Sequence, residues 1–333
     1  MQAIVDGYLA SIKVGDGKDY QGMTLFSLFR EGESPLRYQV LSEALASSAV
    51  EVRERSSASV PELWLANRSD SMVLVMDGEE IVGGKQNRMV NASFLIAPRS
   101  EVMLPVTRVE HGRWHDVAPR FSAGEAAPSF LRREKEMQVK QNLRATRRPA
   151  ADQSAVWGAI AAKQREEGTH SPTGAMNDLY RQKDKDLADY ERAFPVVENA
   201  VGMVVALDGR MVGADLFDQP VTAARLWSKL VRSYAMDVTG RGQEKPVAQG
   251  RAEKLLKRLT GARLETFPSI ALGQDLRLEG DGANGAALVY EGIVVHMGIF
   301  RIHHRGTQTG STGMVRASMR RSLHTNPDDR VVD

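Results

Sequence analysis

Residues 203–218 read MVVALDGRMVGADLFD, which is an apolar run, an acid and a glycine, and then a second apolar run. The same order recurs in MVLVMDGEEIVGGKQNR at 72–88 and in ALVYEGIVVHMGIFR at 287–301. Apolar runs of this kind predict strands, and an acid followed by glycine supplies the positive φ angles of a tight hairpin turn. Each stretch therefore predicts a β-hairpin, and the three together predict a sheet system with repeated hairpin units.

The rest of the chain divides into strand-rich and helical parts. Residues 1–120 contain short apolar or alternating stretches separated by Gly, Pro, Asn, Asp and Ser, which predict strands, among them YLASIKV at 8–14. Residues 128–194 are rich in Arg, Lys, Gln and Ala and predict helices. In residues 196–305 the strands return, together with two predicted amphipathic helices.

This order of parts predicts an α+β fold with mixed or mainly antiparallel sheets, repeated β-hairpin units and a helical middle segment. We expect residues 1–305 to form a single large domain. Residues 306–333 read as a sequence of small, polar and basic residues, and we expect them to form a flexible basic tail.

Composition narrows the function classes. The 44 Lys and Arg against 42 Asp and Glu give a net charge of +2, so the strong positive field of a dedicated nucleic-acid binder is not expected. The chain has no cysteine, which excludes disulfides, thiolate metal sites and cysteine nucleophiles. No stretch approaches the roughly 18 apolar residues of a membrane span, and no leader pattern is visible, so we expect a cytoplasmic protein without a membrane partner.

The first hairpin stretch carries more polar residues than a turn needs. What it adds to the other two is Glu79, Glu80, Gly84, Lys85, Gln86, Asn87 and Arg88. Glu79 and Glu80 point to opposite faces if they lie in a strand, so only one of them can face a given site. Arg88 can hold a phosphate or carboxylate through two hydrogen bonds, Lys85 adds a point charge, and the amides can hold hydroxyls or base edges. The alternative interpretation is a solvated loop with internal salt bridges.

A second polar cluster, VTRVEHGRWHD at 106–116, follows a predicted strand. His111 could act as a general base near neutral pH, with Glu110 or Asp116 orienting it. Arg113 could bind an anion, and Trp114 could stack on an aromatic base. The alternative is that the tryptophan closes the core and the histidine is merely exposed.

The sequence assigns no metal site, and whether the protein uses a cofactor is unknown from the sequence. His303 and His304 are adjacent, so their side chains diverge, and no third ligand stands at a recognisable spacing. A divalent cation at Glu79, Glu80, Glu110 and His111 would require the fold to bring these side chains together. The basic stretch RREKEMQVKQNLRATRR at 132–148 lacks aromatic residues, so we expect a solvated helix face rather than a nucleic-acid site.

Two of these motifs carry a resemblance. MDGEEIVGGKQNRMVNASFLIAP at 76–98 and VEHGRW at 109–114 resemble the motifs of the ADP-ribosylglycohydrolase and rhodanese-phosphatase associated domain, a family without an assigned reaction. The similarity extends over about residues 20–303. It implies a small anionic ligand of the ADP-ribose or NAD-derived type.

The sequence therefore leaves two hypotheses of different class, and neither the reaction nor the oligomeric state can be read from it. In the first, the protein is a hydrolase or transferase in which Glu79, Glu80, Glu110 or His111 moves protons and a polar set binds the ligand. That set is Lys85, Gln86, Asn87, Arg88, Arg113 and Trp114. In the second, the same residues form a non-catalytic ligand sensor or a protein-interaction scaffold. A buried carboxyl with a strongly raised pKa would favour the enzyme.

Overall fold

The structure is a computed structural model that describes residues 1–54, 61–113, 120–239 and 246–302. Its helices are α1 (Gln2–Ser11), α2 (Leu41–Ala46), α3 (Ser129–Thr146), α4 (Gln153–Glu167), α5 (Met176–Gln182), α6 (Asp184–Ala193), α7 (Pro220–Ala235) and α8 (Gln249–Lys257). Its strands are β1 (Ile12–Tyr20), β2 (Met23–Arg30), β3 (Tyr38–Val40), β4 (Val50–Arg53), β5 (Glu62–Asn67), β6 (Met72–Val75), β7 (Glu79–Val82), β8 (Arg88–Val90), β9 (Phe94–Ile96), β10 (Ser100–Arg108), β11 (Ser122–Ala126), β12 (Gly202–Leu207), β13 (Arg210–Phe217), β14 (Arg263–Pro268), β15 (Gln274–Gly280), β16 (Ala283–Tyr290) and β17 (Ile293–Arg301). The predicted tail and the two adjacent histidines lie outside the described residues.

Three sheets carry the fold. The largest has the order β1-β2-β12-β13-β17-β16-β15-β14 and is antiparallel throughout. A second, β11-β7-β8-β10-β5-β4, is also antiparallel, and the third, β3-β6-β9, contains one parallel pair, β3 with β6. With α3 to α6 in the middle of the chain, the predicted α+β fold with mainly antiparallel sheets, hairpins and a central helical segment is confirmed.

Two of the three predicted hairpins are present. β12 pairs with β13 around Asp208 and Gly209, whose φ angles are 48° and 76°, and β16 pairs with β17 around Glu291 and Gly292, at 50° and 77°. Both turns thus have the two positive φ angles expected of a tight turn with an acid followed by glycine. The prediction is wrong for residues 72–88. There β6 pairs with β3 and β9, whereas β7 pairs with β8 and β11, so the Asp77–Gly78 turn connects two different sheets.

The chain begins with a helix where a strand was predicted. Residues 8–11 of the YLASIKV stretch belong to α1, and β1 begins only at Ile12. The buried residues of α1 are Val5, Tyr8 and Leu9, at helical spacing. Val5 completes the apolar face of the helix, but it precedes the stretch at 8–14 from which the strand was predicted.

The core lies on both faces of the large sheet. One face packs against α1 and α8, with Leu28, Val204 and Leu255 among its buried residues. The opposite face packs against α7 and the middle helices, with Trp227 and Phe217 among its buried residues. The strands of the two smaller sheets enclose a third apolar cluster. None of the helices in the described ranges has the length and hydropathy needed to cross a membrane.

Helix α3 corrects the prediction of a solvated basic face. Arg132, Lys135 and Glu136 are almost completely buried, as are the apolar Val139 and Leu143 of the same face. These residues have the spacing of the core-facing side of a helix, but three of them are charged instead of apolar. Because buried charges need partners, the composition of this helix reflects an internal ionic layer rather than contact with water.

The close approach of β12 and β13 gives a test of the central sheet. A Cβ on Gly202 would lie 2.1 Å from the Asp215 carbonyl oxygen and 2.9 Å from Leu216 Cα, and backbone cannot move aside as a flexible side chain can. We expect Gly202→Ala to lower the free energy of unfolding by about 3 kcal/mol. Gly250→Ala is the control, because no atom lies within 4 Å of its Cβ position in α8, and we expect it to stabilise by up to about 1 kcal/mol. Urea unfolding of both variants measures the difference, and equal effects would show that the strand contact is not tight.

Candidate functional site

The loop between β7 and β8 is shaped by two glycines. Gly83 and Gly84 have φ angles of 140° and 57°, which residues other than glycine rarely adopt. A Cβ on Gly84 would also lie 2.7 Å from the Phe121 ring and 2.8 Å from Glu54 Oε1. Both the backbone conformation and the available space therefore require glycine, and the loop directs the polar residues that follow into the protein.

Asn87 connects the two polar motifs. Its backbone N–H donates to Glu110 Oε2 at 3.2 Å, and its side-chain Nδ2 donates to Glu80 Oε1 at 3.2 Å. Its Oδ1 accepts from the Gly83 N–H at 3.3 Å and from Arg113 Nη2 at 3.0 Å. These bonds fix the orientation of the amide, because Oδ1 faces only donors and Nδ2 faces an acceptor. Asn87 thereby fixes the positions of Glu80 and Glu110.

Glu80 is a buried carboxyl group with few donors around it. It has no exposed surface, and its second oxygen accepts from Asn177 Nδ2 at 3.3 Å. Gly124 packs against it, since a Cβ there would lie 2.6 Å from Glu80 Oε2. Burial raises the pKa of Glu80 from 4.5 to about 8, against the opposing effect of the two asparagine hydrogen bonds. This raised pKa favours the protonated form of Glu80 at neutral pH.

The surroundings of Glu110 favour its ionised form, in contrast to Glu80. Burial acts to raise the pKa of this carboxyl, but hydrogen bonds from Arg113 and Thr173 outweigh it and lower the pKa below its ordinary value. Arg113 contacts both oxygens, at 2.9 Å from Nε and 2.7 Å from Nη2, and Thr173 Oγ1 donates at 2.8 Å. Thr173 also accepts the N–H groups of His111 and Gly112 through its carbonyl, which joins the 109–113 segment to the loop before α5.

The remaining predicted acids and arginines are engaged in ion pairs. Glu79 points to the opposite face of β7, as expected for adjacent strand residues, and its Oε1 accepts from Lys229 Nζ at 2.5 Å. Arg88 is 5% exposed, and its Nη2 binds Glu54 at 3.1 Å. The guanidinium groups of Arg88 and Arg113 thus already hold carboxylates, so an anionic ligand would compete with Glu54 and Glu110 for them.

The other predicted ligand-binding residues differ in accessibility. Lys85 is partly exposed, and its backbone N–H donates to Glu54. Gln86 is buried and donates to the His111 carbonyl at 3.2 Å, while its Oε1 has no hydrogen-bond partner among the described residues. His111 is exposed, with its ring 4.4 Å from the Trp157 ring in an edge-to-face contact. Trp114 lies outside the described residues.

The fold does not assemble the conditional cation site. In the described part of the chain no group of three or more His, Asp or Glu residues is arranged to hold a metal ion. The physical reason is visible at β7, where Glu79 turns to Lys229 and Glu80 turns to Asn87. The four side chains that would have to converge therefore do not.

A second buried network was missed by the sequence analysis. Ser93 Oγ lies 2.7 Å from His296 Nδ1, and His296 Nε2 lies 3.3 Å from Asp215 Oδ1. Asp215 receives both terminal nitrogens of Arg132. The hydroxyl of Tyr234 completes the network, donating to Asp215 Oδ2 at 2.8 Å.

The same network reaches back to the Asp77–Gly78 turn. The Asp77 N–H donates to Ser93 Oγ at 2.9 Å, and the Asp77 carboxylate accepts from Lys135 Nζ. Asp77 and Ser93 belong to the long motif, but Asp77 was interpreted only as a turn residue and Ser93 was not singled out. No signal in the sequence could have identified them, because only the structure shows that the Asp77–Gly78 turn forms no hairpin.

Comparison with known proteins gives one match. The chain matches the ARPP-1 family, described as the ARG and Rhodanese-Phosphatase-superfamily-associated Protein domain, over residues 11–300. No curated protein and no solved structure matches the chain.

The protonation of Glu80 can be measured through stability. Because its pKa is about 8 in the folded protein and 4.5 ordinarily, the folded state binds the extra proton between these values, and stability falls as pH rises through this window. Glu80→Gln mimics the neutral acid. We expect the variant to match the wild type near pH 5 and to gain on it by at most about 1.4 kcal/mol per pH unit up to pH 8.

Urea unfolding between pH 5 and 8.5 makes this measurement. Glu166→Gln is the control, because among the described residues this half-exposed carboxylate of α4 forms an ion pair only with Lys163, one helix turn away. The control should keep the pH slope of the wild type. A stability difference between Glu80→Gln and the wild type that does not change with pH would mean that Glu80 is ionised in the folded protein.

Proposed function

Since the chain belongs to the ARPP-1 family, whose sequence profile covers residues 11–300, we propose that it hydrolyses a glycosidic bond in a small anionic ligand of the ADP-ribose or NAD-derived type. The proposed site is the Glu80–Glu110 pair. The family's name refers to association with other protein superfamilies and to no reaction, so the proposal rests on the site's chemistry.

The observation that carries the proposal is the opposite protonation of two carboxyl groups held by one asparagine. Glu80 has a pKa of about 8, whereas the pKa of Glu110 is lowered, and Asn87 donates to both. Pairs of titratable groups whose surroundings separate their pKa values supply an acid and a base at the same pH. Ion-pair networks without a catalytic role also shift pKa values, so a turnover assay is the test of this proposal.

Glycosidic hydrolysis needs this combination. In the proposed reaction protonated Glu80 donates its proton to the leaving atom of the ligand, while Glu110 accepts a proton from the attacking water. The carbon–leaving atom bond breaks, the water oxygen bonds to the anomeric carbon, and Glu110 ends protonated while Glu80 ends ionised. Proton exchange with solvent restores both groups.

In the proposal, the ligand reaches Glu80 past the partly exposed neighbours of the pair. Asn177 and Gly124 both touch Glu80 and both reach the surface, so the ligand approaches from their side. Lys85 is the partly exposed cation of the motif loop and supplies the charge for a ligand phosphate. In the proposal, the exposed His111, next to Glu110 in the sequence, contacts the ligand's hydroxyl groups.

A non-catalytic ligand sensor is the second candidate. It is favoured by the full pairing of Arg88 with Glu54 and of Arg113 with Glu110, which makes the loop rigid, and by the complete burial of Glu80. A rigid, preformed loop binds with little ordering cost and needs no proton transfer. The sensor and the hydrolase share the ligand and differ in turnover.

Turnover assays with NAD, ADP-ribose and an ADP-ribosylated arginine peptide separate the candidates. We expect the wild type to release the ribosyl group from at least one of these compounds, and chromatography detects the product. We expect kcat to fall by 10²-fold or more in Glu80→Gln, because one general acid contributes about that factor. Lys85→Ala should mainly raise KM. Calorimetry of the same variants reports binding.

The controls make each outcome decisive. Glu166→Gln, which changes a half-exposed carboxylate of α4 outside the proposed site, should keep full kcat. Binding without turnover by the wild type would support the sensor and reject the hydrolase. A folded wild type that neither binds nor turns over these compounds would reject an ADP-ribose-type ligand for this site.

A further inference from the structure

Glu54, which follows β4, forms an ion pair with Arg88 at the glycine loop of the candidate site. Its Oε1 accepts from Arg88 Nη2 at 3.1 Å and from the Lys85 backbone N–H at 3.2 Å. Among the described residues, these two donors hold the carboxylate, and both bind the same oxygen. The side chain of Glu54 is 19% exposed and that of Arg88 is 6% exposed. Glu54 is therefore the partner that solvent reaches.

The glycine loop brings the backbone close to this carboxylate. A Cβ on Gly84 would lie 2.8 Å from Glu54 Oε1 and 2.9 Å from Glu54 Cδ. Gly83 and Gly84 both have positive φ angles, and the next N–H in the chain, that of Lys85, donates to the carboxylate. Backbone N–H groups in loops that glycine keeps open form binding sites for phosphate and other anions. The loop has these features, and a side chain of the protein itself holds the position of the anion.

The charges around Arg88 are unequal. Burial lowers the pKa of Arg88 to about 10, the Glu54 charge opposes this change, and the charges of Arg108 and Arg113 add to it. With Glu110, the region contains three positive and two negative charges. Displacement of Glu54 would leave two positive charges in excess, and a phosphate group of about −2 can balance them.

The donors keep their positions when Glu54 leaves. Arg88 Nη1 donates to the Gln86 carbonyl at 2.6 Å, which orients the guanidinium without help from Glu54. The Lys85 N–H is part of the backbone of the loop. A guanidinium that is already oriented binds a phosphate with little ordering cost, and a phosphate offers three acceptor oxygens where Glu54 uses one.

We propose that Arg88, the Lys85 N–H and the Gly83–Gly84 loop form a phosphate subsite, and that a phosphate group of the ligand binds there by displacing Glu54. This inference deepens the proposed function and rests on its anionic ligand of the ADP-ribose or NAD-derived type. Glu54 acts as an internal competitor. It lowers the apparent affinity by the fraction of molecules in which Arg88 is not bound to it.

Calorimetry of the full-length chain with inorganic pyrophosphate and inorganic phosphate tests the subsite. We expect Glu54→Gln to lower the Kd for pyrophosphate by about tenfold or more, because the amide keeps the size of the side chain and removes the competing charge. The double variant Glu54→Gln/Arg88→Gln should lose this gain. A folded Glu54→Gln that binds pyrophosphate no more tightly than the wild type would overturn the proposal.

Glu51→Gln is the matched control for net charge. It removes the same charge from β4, where the carboxylate pairs with the exposed Arg53 and Arg68 instead of a glycine loop. We expect its Kd to equal that of the wild type. An equal gain in both variants would show that net charge alone raises the affinity and would reject the subsite.

Succinate separates a phosphate subsite from a site for any carboxylate. We expect Glu54→Gln to bind pyrophosphate more tightly than succinate, because phosphate carries more charge and more acceptor oxygens on one group. Tighter binding of succinate would contradict the assignment to phosphate.

Thermal unfolding separates ligand displacement from a structural role of Glu54. Glu54→Gln leaves the charge of Arg88 without its partner, so we expect a lower Tm in buffer without anions and recovery of the Tm with pyrophosphate. If this variant does not fold, Glu54→Asp replaces it, since its carboxylate is one methylene shorter and reaches Arg88 less well. Its Kd for pyrophosphate should fall by a smaller factor, and an unchanged Kd would also contradict the proposal.

These outcomes are distinct from those of the turnover assays. A wild type that releases ribosyl groups, together with a Glu54→Gln variant without any gain in pyrophosphate binding, would reject the subsite and keep the proposed hydrolysis. Tighter binding of pyrophosphate by Glu54→Gln, without turnover of any compound, would support the subsite and reject the hydrolysis.

Discussion

The buried ion pair between Arg132 and Asp215 is the contact on which the rest of the structure depends. Both side chains are completely buried, and both terminal guanidinium nitrogens bind the carboxylate. The aliphatic part of Arg132 also packs against Gly78, where a Cβ would lie 2.8 Å from Arg132 Cγ. One side chain thereby joins α3, the large sheet and the Asp77–Gly78 turn. Removing either partner would leave a charge without compensation in the interior, which destabilises a protein by about 3–5 kcal/mol.

The path of the chain at the Asp77–Gly78 turn explains why one motif contributes to two networks. The Asp77–Gly78 turn passes between the sheets, so residues before and after it are directed to different places. Asp77 faces Lys135 and Ser93 within the ionic layer, whereas Glu80 faces Asn87 on the far side of β7. The acid that looked like a turn residue is thus part of the interior, and the ionic layer and the proposed glycosidic site share a stretch of chain without sharing a side chain.

Local features were predictable and distant pairings were not. The turns at Asp208 and at Glu291 form hairpins because a two-residue turn with positive φ angles is specified by the residues within it. The same pattern at Asp77 fails, since the strands on either side find better partners elsewhere in the chain. Likewise, the density of polar groups in the motif indicated a candidate site, but only the fold distinguishes Glu79, paired with Lys229, from Glu80, which is buried and has a raised pKa.

The sequence by itself determined the α+β class, the two local hairpins, the helical middle segment and the stretch of chain that carries the Glu80–Glu110 pair, because periodicity, turn chemistry and motif density act over a few neighbouring residues. The tertiary structure decided which carboxyl is neutral, which arginines are already paired, and that Ser93, Asp215 and His296 meet. These outcomes depend on desolvation and on contacts between residues separated by as many as 203 positions, and neither is encoded in any local pattern.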